Sequence, residues 1–251
     1  MAKQCLFCAN KANSKEHLWS DWILQRLGTQ PTRIKMGKAA ASTMPHSVVE
    51  VRCVCRILCN AGWMSALESE NIPIIGRLME NTATPLDATQ QRSIALWAVM
   101  KAMVLDAVNA KKRGHFFTRN ECEALRLHRS IPAQTGVEIG TYVRKGYSAD
   151  GTIVWLDFPN APKAAKVSVT TFVIGHLVIQ VVTAHPEPEH ENTRVGNIGI
   201  RDGEWNKLLF PIWPIGTRPV AWPPPMTFSN SGPSSIASLQ NRWRIGKDAT
   251  I

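Results

Sequence analysis

Two hydrophobic periodicities divide the chain. Between residues 84 and about 111 the apolar positions Ile94, Leu96, Trp97, Val99, Met100, Met103, Val104, Leu105 and Val108 recur so densely that they cover most of a helical surface. Such wide coverage predicts a buried helix. Its start is expected at Thr84-Pro85-Leu86-Asp87, where a capping hydroxyl precedes a proline at the first helical position. Thr118-Arg119-Asn120-Glu121 has the form of a capping box and predicts a second helix that stops near Pro132. Between them, Lys111-Lys112-Arg113-Gly114 reads as a basic helix terminus and turn. From about Val137 the period becomes two. Residues 137–143, 152–158, 166–173 and 177–182 are rich in β-branched and aromatic side chains and are separated by Gly, Pro, Asn and Asp. They predict short strands whose close connections favour an antiparallel sheet.

Beyond them, Pro211, Pro214, Pro219 and Pro223-Pro224-Pro225 surround Trp205, Trp213 and Trp222. So much proline predicts an ordered, aromatic-anchored loop wrapped on the sheet rather than regular structure. The expected organisation is α+β: an N-terminal module over 1–72, a helical segment over 73–132, and an antiparallel β-rich region with Pro/Trp loops over 133–228. Residues 229–251 read as a Ser/Gly linker and a mobile terminus. No internal repeat is visible.

Composition narrows the picture. At 251 residues and 44% hydrophobic, the chain can bury a core without disulfides, and a folded rather than an intrinsically disordered chain is expected. The start, Met1-Ala2-Lys3-Gln4-Cys5, has no apolar signal-peptide core, and the longest apolar run, residues 172–182, is broken by His176 and Gln180. A cytoplasmic protein without a membrane span is therefore expected. Lys and Arg number 29 against 19 Asp and Glu, a net +10. Six of those ten charges lie in residues 1–60, where Lys3, Lys11, Lys15, Arg26, Arg33, Lys35, Lys38, Arg52 and Arg56 face only Glu16, Asp21 and Glu50. A basic face on the N-terminal module suits a polyanionic partner.

The same segment carries the metal chemistry. Cys5-x2-Cys8 and Cys55-x3-Cys59 are two tight pairs about fifty residues apart. Four thiolates are what a tetrahedral structural zinc ion takes, and a chain without a secretory signal keeps its thiols reduced. Cys53 is an alternative ligand to Cys55 with poorer spacing, and Cys122 reads as a small core residue.

Beside each pair lies a second signal. Ser14-Lys15-Glu16-His17-Leu18-Trp19-Ser20-Asp21-Trp22 follows the first, and Cys59-Asn60-Ala61-Gly62-Trp63-Met64-Ser65-Ala66-Leu67-Glu68 runs out of the second. Glu-His after a CxxC, with a later Cys-Asn-x-Gly-Trp-Met-Ser-x-Leu-Glu, resembles the zinc-containing branch of the HNH (ββα-metal) endonuclease superfamily in bacterial and phage proteins. The resemblance continues into the helix at Ile94-Ala-Leu-Trp97-Ala-Val-Met-Lys101-Ala-Met-Val-Leu105. It covers residues 5–68, weakens to about 110, and implies a zinc-stapled ββα-metal module at the N-terminus.

The resemblance further implies a general-base histidine, His17, and one divalent ion, Mg2+ or similar, held by Glu16 and Asn60. Phosphodiester hydrolysis needs both, because water is a weak nucleophile and charge develops on the phosphate oxygens. Adjacent residues on a strand face opposite ways, so a bend or bulge near Glu16 is required. Glu68 is a reserve ligand. On a single helix beginning near Asn60 it stands roughly 12 Å along the axis, whereas two ligands of one ion lie only about 4 Å apart. In that alternative alignment Asn60 orients His17. Two departures stand out: Ser20 replaces a proline common three residues after the histidine, and Val51 or Glu50 stands where relatives have a further asparagine.

Lys15, Arg33, Lys35, Lys38 and Arg56 are the expected nucleic-acid contacts, DNA rather than RNA. The rival expectations are a catalytically inactive zinc-dependent nucleic-acid-binding module and a protein-interaction scaffold. Trp19 and Trp22 read as core before base-stacking. His185-Pro-Glu-Pro-Glu-His190-Glu191 reads as a solvated acidic loop, since its prolines prevent a helical pairing of the histidines.

Overall fold

The computed structural model describes residues 3–28, 32–36, 42–44, 50–158, 161–188, 208–217 and 219–228. Strand β1 (Ser14–His17) pairs antiparallel with β4 (Glu50–Val54), setting His17 opposite Glu50. Between them come α1 (Asp21–Leu27) and the strands β2 (Thr32–Met36) and β3 (Ser42–Met44). After β4 the chain enters a wide helical segment, Arg56–Met64, in which the Asn60 N–H bonds the Cys55 carbonyl five residues back. Gly62, with ψ −114°, kinks it before α2 (Ser65–Met79) begins. The rest is β5 (Thr84–Leu86), α3 (Ala88–Arg113), α4 (Arg119–His128), β6 (Thr135–Phe158), β7 (Ala161–Pro186), β8 (Phe210–Trp213), β9 (Val220–Trp222) and β10 (Thr227–Phe228). The fold is mixed α and β: strand and helix segments first, helices in the middle and a β-rich end.

Several elements differ from the sequence expectation. The long helix begins at Asp87 rather than Thr84: Asp87 accepts from the Gln90 N–H in a capping box, and Thr84–Leu86 is strand β5 paired with β9. A residue before proline is driven out of the helical region, which makes Thr84 extended. The capping box at Thr118 forms as expected, but its helix ends at His128 with Arg129 in the left-handed region. The four expected strands are two long ones, β6 and β7, joined as one antiparallel hairpin from Thr135 opposite Thr183 to Phe158 opposite Ala161. Pairing continues through their Gly and Ser spacers, with shifts of register between Thr141 and Gly146 and between Leu156 and Phe158, and with Gly175 in the left-handed region.

The Pro/Trp region is not all loop, since β8 and β10 pair with β6, and β9 with β5. Pro211 is tolerated because β8 is a short edge strand. His185 is half-buried rather than freely solvated: its ring stacks on Phe116 at 4.3 Å, and Nε2 lies 2.8 Å from Glu121 Oε1. Residues 189–191, Trp205 and the expected linker and terminus over 229–251 lie outside the described residues.

The larger of two hydrophobic clusters runs from Phe7, Leu18, Trp19 and Ile23 through Leu67, Ile75 and Trp97 to Phe172, Ile179 and Trp222, and a smaller one joins Tyr142, Val173, Val178 and Phe228. Trp19 packs edge-on against Phe172, with ring centres 5.6 Å apart. The boundary expected after Ile72 falls inside α2. The first cysteine pair is also tied to α4, whose Arg119 and Arg126 donate to the carbonyls of Cys5 and Phe7 at 2.9 and 2.8 Å.

Gly175 closes the hairpin against α2. Its φ is +63°, and a Cβ there would sit 2.6 Å from the Met79 carbonyl oxygen. Gly175→Ala is expected to destabilise the fold by about 2 kcal/mol or more, from left-handed strain plus backbone overlap. Urea unfolding monitored by circular dichroism measures it.

Candidate metal centre and adjoining cavity

Cys5, Cys8, Cys55 and Cys59 come together, buried, with all four sulfurs within 4.8 Å of one another. The Cys5–Cys59 and Cys8–Cys59 contacts are 3.6 Å and Cys8–Cys55 is 3.5 Å. A tetrahedral ion with bonds of about 2.3 Å to sulfur sets its ligands about 3.8 Å apart. These separations are too long for a disulfide and close to that edge. The cluster can therefore chelate a divalent metal ion, and its donor set is zinc-like.

Local structure builds it. The first pair lies on a tight loop closed by the Gln4–Lys11 bridge, and the Leu6 and Asn13 N–H groups bond the Cys53 and Val54 carbonyls, joining both cysteine segments. The Cys55 N–H donates to Cys5 Sγ at 3.2 Å, the kind of backbone support that holds a thiolate. Hydrogen bonding, foremost from Cys59, pulls the Cys5 thiol down to about 4, whereas the same contact and burial push Cys59 strongly up. Cys53 stands outside the cluster, buried, and desolvation pushes its thiol up to about 12. The choice between Cys53 and Cys55 thus falls to Cys55. Cys122 is buried in the core, as expected.

Next to the cluster is a cavity of 320 Å³ bordered by Glu16, His17, Ser20, Asp21, Trp22, Asn60, Met64, Ser65, Glu68, Ser69 and Ile72. All four acid, base and amide candidates therefore border one space. Glu16 is buried and His17 half-exposed, and β1 reaches this edge with a register shift at Ser14 and Lys15 and ends at His17. The separation expected between Asn60 and Glu68 presumed one straight helix. The kink at Gly62 removes that premise, and both residues border the cavity.

The hydrogen bonds separate their roles. Asn60 Nδ2 donates to Ser14 Oγ and the Lys15 carbonyl, each at 2.9 Å, so its amide ties helix to strand and leaves Oδ1 as the group it can offer. Glu68 is engaged at both oxygens: Oε2 accepts from Trp22 Nε1 at 2.8 Å, and Oε1 lies 2.8 Å from Lys101 Nζ. Burial raises the Glu68 carboxyl, but the Lys101 charge and the hydrogen bonds together hold it below the usual range.

Lys101 and Glu50 are the residues that the sequence reading did not assign. Lys101 is fully buried on α3, with Nζ 3.0 Å from Glu16 Oε1 and 3.3 Å from both the His17 carbonyl and Ser20 Oγ. Desolvation opposes its charge, yet the two carboxylates drive its affinity for the proton up. The signal was visible as one cation inside the apolar run from Ile94 to Leu105, where an unpaired ammonium is too costly to bury. Glu50 faces His17 across the strand pair, with Oε2 3.6 Å from Nε2, and also pairs with Lys15. The Lys15 ammonium, with a smaller contribution from His17, holds the Glu50 carboxyl below its ordinary value.

Of the expected nucleic-acid contacts, Lys15 and Arg56 are exposed, Lys15 in its pair with Glu50. Arg33 and Lys35 lie on β2, beside β6, and Lys38 lies outside the described residues. Trp19 is core, and Trp22 is half-buried in the cavity wall. No helix among the described residues is long and apolar enough to cross a membrane. No family model, curated protein or solved structure matches the chain.

Proposed function

We propose that this cavity is the active site of a metal-dependent endonuclease of the HNH type, hydrolysing phosphodiester bonds of nucleic acid, with DNA expected. One observation carries the reading: Glu16, His17 and Asn60, from β1 and from the turn directly after Cys59, border a single cavity beside a four-cysteine centre. In this reading zinc fills that centre and fixes the hairpin to the helix, as a ββα-metal module requires. His17 takes a proton from water. Glu50 beside Nε2 favours a proton on that nitrogen, leaving Nδ1 as the base. The remaining oxygen of Glu16 and Oδ1 of Asn60 are hard donors suited to one Mg2+. That ion, when bound, supplies positive charge to the phosphate oxygens and to the leaving 3′ oxygen. The exposed Arg56 and Lys15 would contact the phosphate backbone, which suits the basic balance of residues 1–60.

A second reading has its own support. Lys101 already neutralises part of the charge on Glu16 and Glu68, which would suit a nucleic-acid-binding zinc module without turnover. Supercoiled plasmid separates the two. The expected result is nicking that requires added Mg2+ or Mn2+ and stops with EDTA; plasmid bound but intact under every divalent ion would favour the binding module.

A further inference from the structure

We propose that Lys101 is a positioning residue for this cavity, an internal counter-cation that keeps Glu68 from serving as a metal ligand and leaves Glu16 one oxygen to offer. The inference rests on the reading of the cavity as a cation-dependent hydrolytic centre. Lys101 reaches from α3 to three other parts of the wall: Glu16 on β1, Glu68 on α2 and Ser20 Oγ at the start of α1. One ammonium, fully buried, thus joins all three of these elements.

The charges decide the behaviour. Two carboxylates and one ammonium give this wall a net charge of −1, with Asp21 also bordering the cavity and Glu50 engaged by Lys15 and His17. Without the ammonium the same two carboxylates carry −2 at one place, and a divalent cation becomes their best available partner. Lys101 thus stands where a further cation would otherwise be drawn. Glu68, whose other oxygen is taken by the Trp22 N–H, is held in the wall as a support.

Mn2+ binding by the full-length, zinc-loaded protein, followed by electron paramagnetic resonance, tests this apart from cleavage. Glu68→Gln takes the wall from −1 to 0 and should weaken Mn2+ binding by about ten-fold or less, far short of the loss that removal of a metal ligand causes. Lys101→Met should tighten it at least about ten-fold, because a cation beside the ligands is gone. Lys101→Met/Glu68→Gln, which restores the net −1, should return to the parent value. A purely space-filling lysine would not produce this pattern. Unchanged affinity in folded Lys101→Met, or loss of Mn2+ binding in Glu68→Gln, would overturn the proposal. If Lys101→Met does not fold, the double variant decides: folding with parental Mn2+ binding supports a charge role, and failure to fold contradicts it. Should the parent bind no Mn2+, a site appearing in Lys101→Met supports the proposal and no site overturns it. Loss of nicking with this pattern intact would fault the nuclease reading alone.

Discussion

Cys8→Ser is expected to abolish metal binding at the proposed zinc centre and to unfold the N-terminal hairpin. Cys8 bridges the cluster, 3.5 Å from Cys55 Sγ and 3.6 Å from Cys59 Sγ, so its loss breaks the join between residues that lie about fifty positions apart. Zinc binding in small zinc-folded units contributes about 10–16 kcal/mol, on the scale of the ~5–15 kcal/mol by which whole domains are stable. A loss of about 5 kcal/mol or more follows, because three remaining thiolates hold the ion less firmly. The damage should reach beyond the loop, since Cys5, Cys8, Cys55 and Cys59 belong to the same core as Trp19 and Trp97. Metal content by atomic emission and thermal unfolding by circular dichroism check it; an unchanged melting temperature with full zinc content would refute it.

The second large effect concerns chemistry and leaves the fold alone. His17→Ala is expected to lower cleavage by about 10²–10⁴-fold, the usual contribution of a positioned general base. The side chain is 44% exposed and its neighbour Glu50 keeps its pairing with Lys15, so stability should change by less than about 0.5 kcal/mol. Single-turnover cleavage and urea unfolding of the same preparation separate the two quantities. Comparable losses in both would mean that His17 serves the hairpin instead.

Much of this arrangement could be read before any coordinates. The cysteine spacing pointed to Cys5, Cys8, Cys55 and Cys59, because tight pairs of soft ligands have few other uses. The capping box at Thr118 was legible because its signal is wholly local. Failures came where a distant partner overrode a local signal. Thr84-Pro85 has the form of a helix start, but strand β9 pairs with it and Asp87 takes the cap. The break at Gly175 suggested two strands where one bent strand continues, since pairing with β6 resumes on either side of it. Glu16 and Glu68 were both visible as acids, but Lys101, which determines what each can do, lies 85 and 33 positions away, and only packing α3 beneath β1 and α2 brings it to them. No periodicity encodes that contact.

Chemical rescue of His17→Ala tests most directly whether water is activated at this cavity. With Mg2+ present and zinc retained, the variant should cut plasmid DNA at no more than about 1% of the parental rate, and added imidazole should restore part of it in proportion to the concentration of free base. Parental cleavage by the variant without imidazole would contradict the assignment of His17, and with it the proposal of a nuclease built around this cavity.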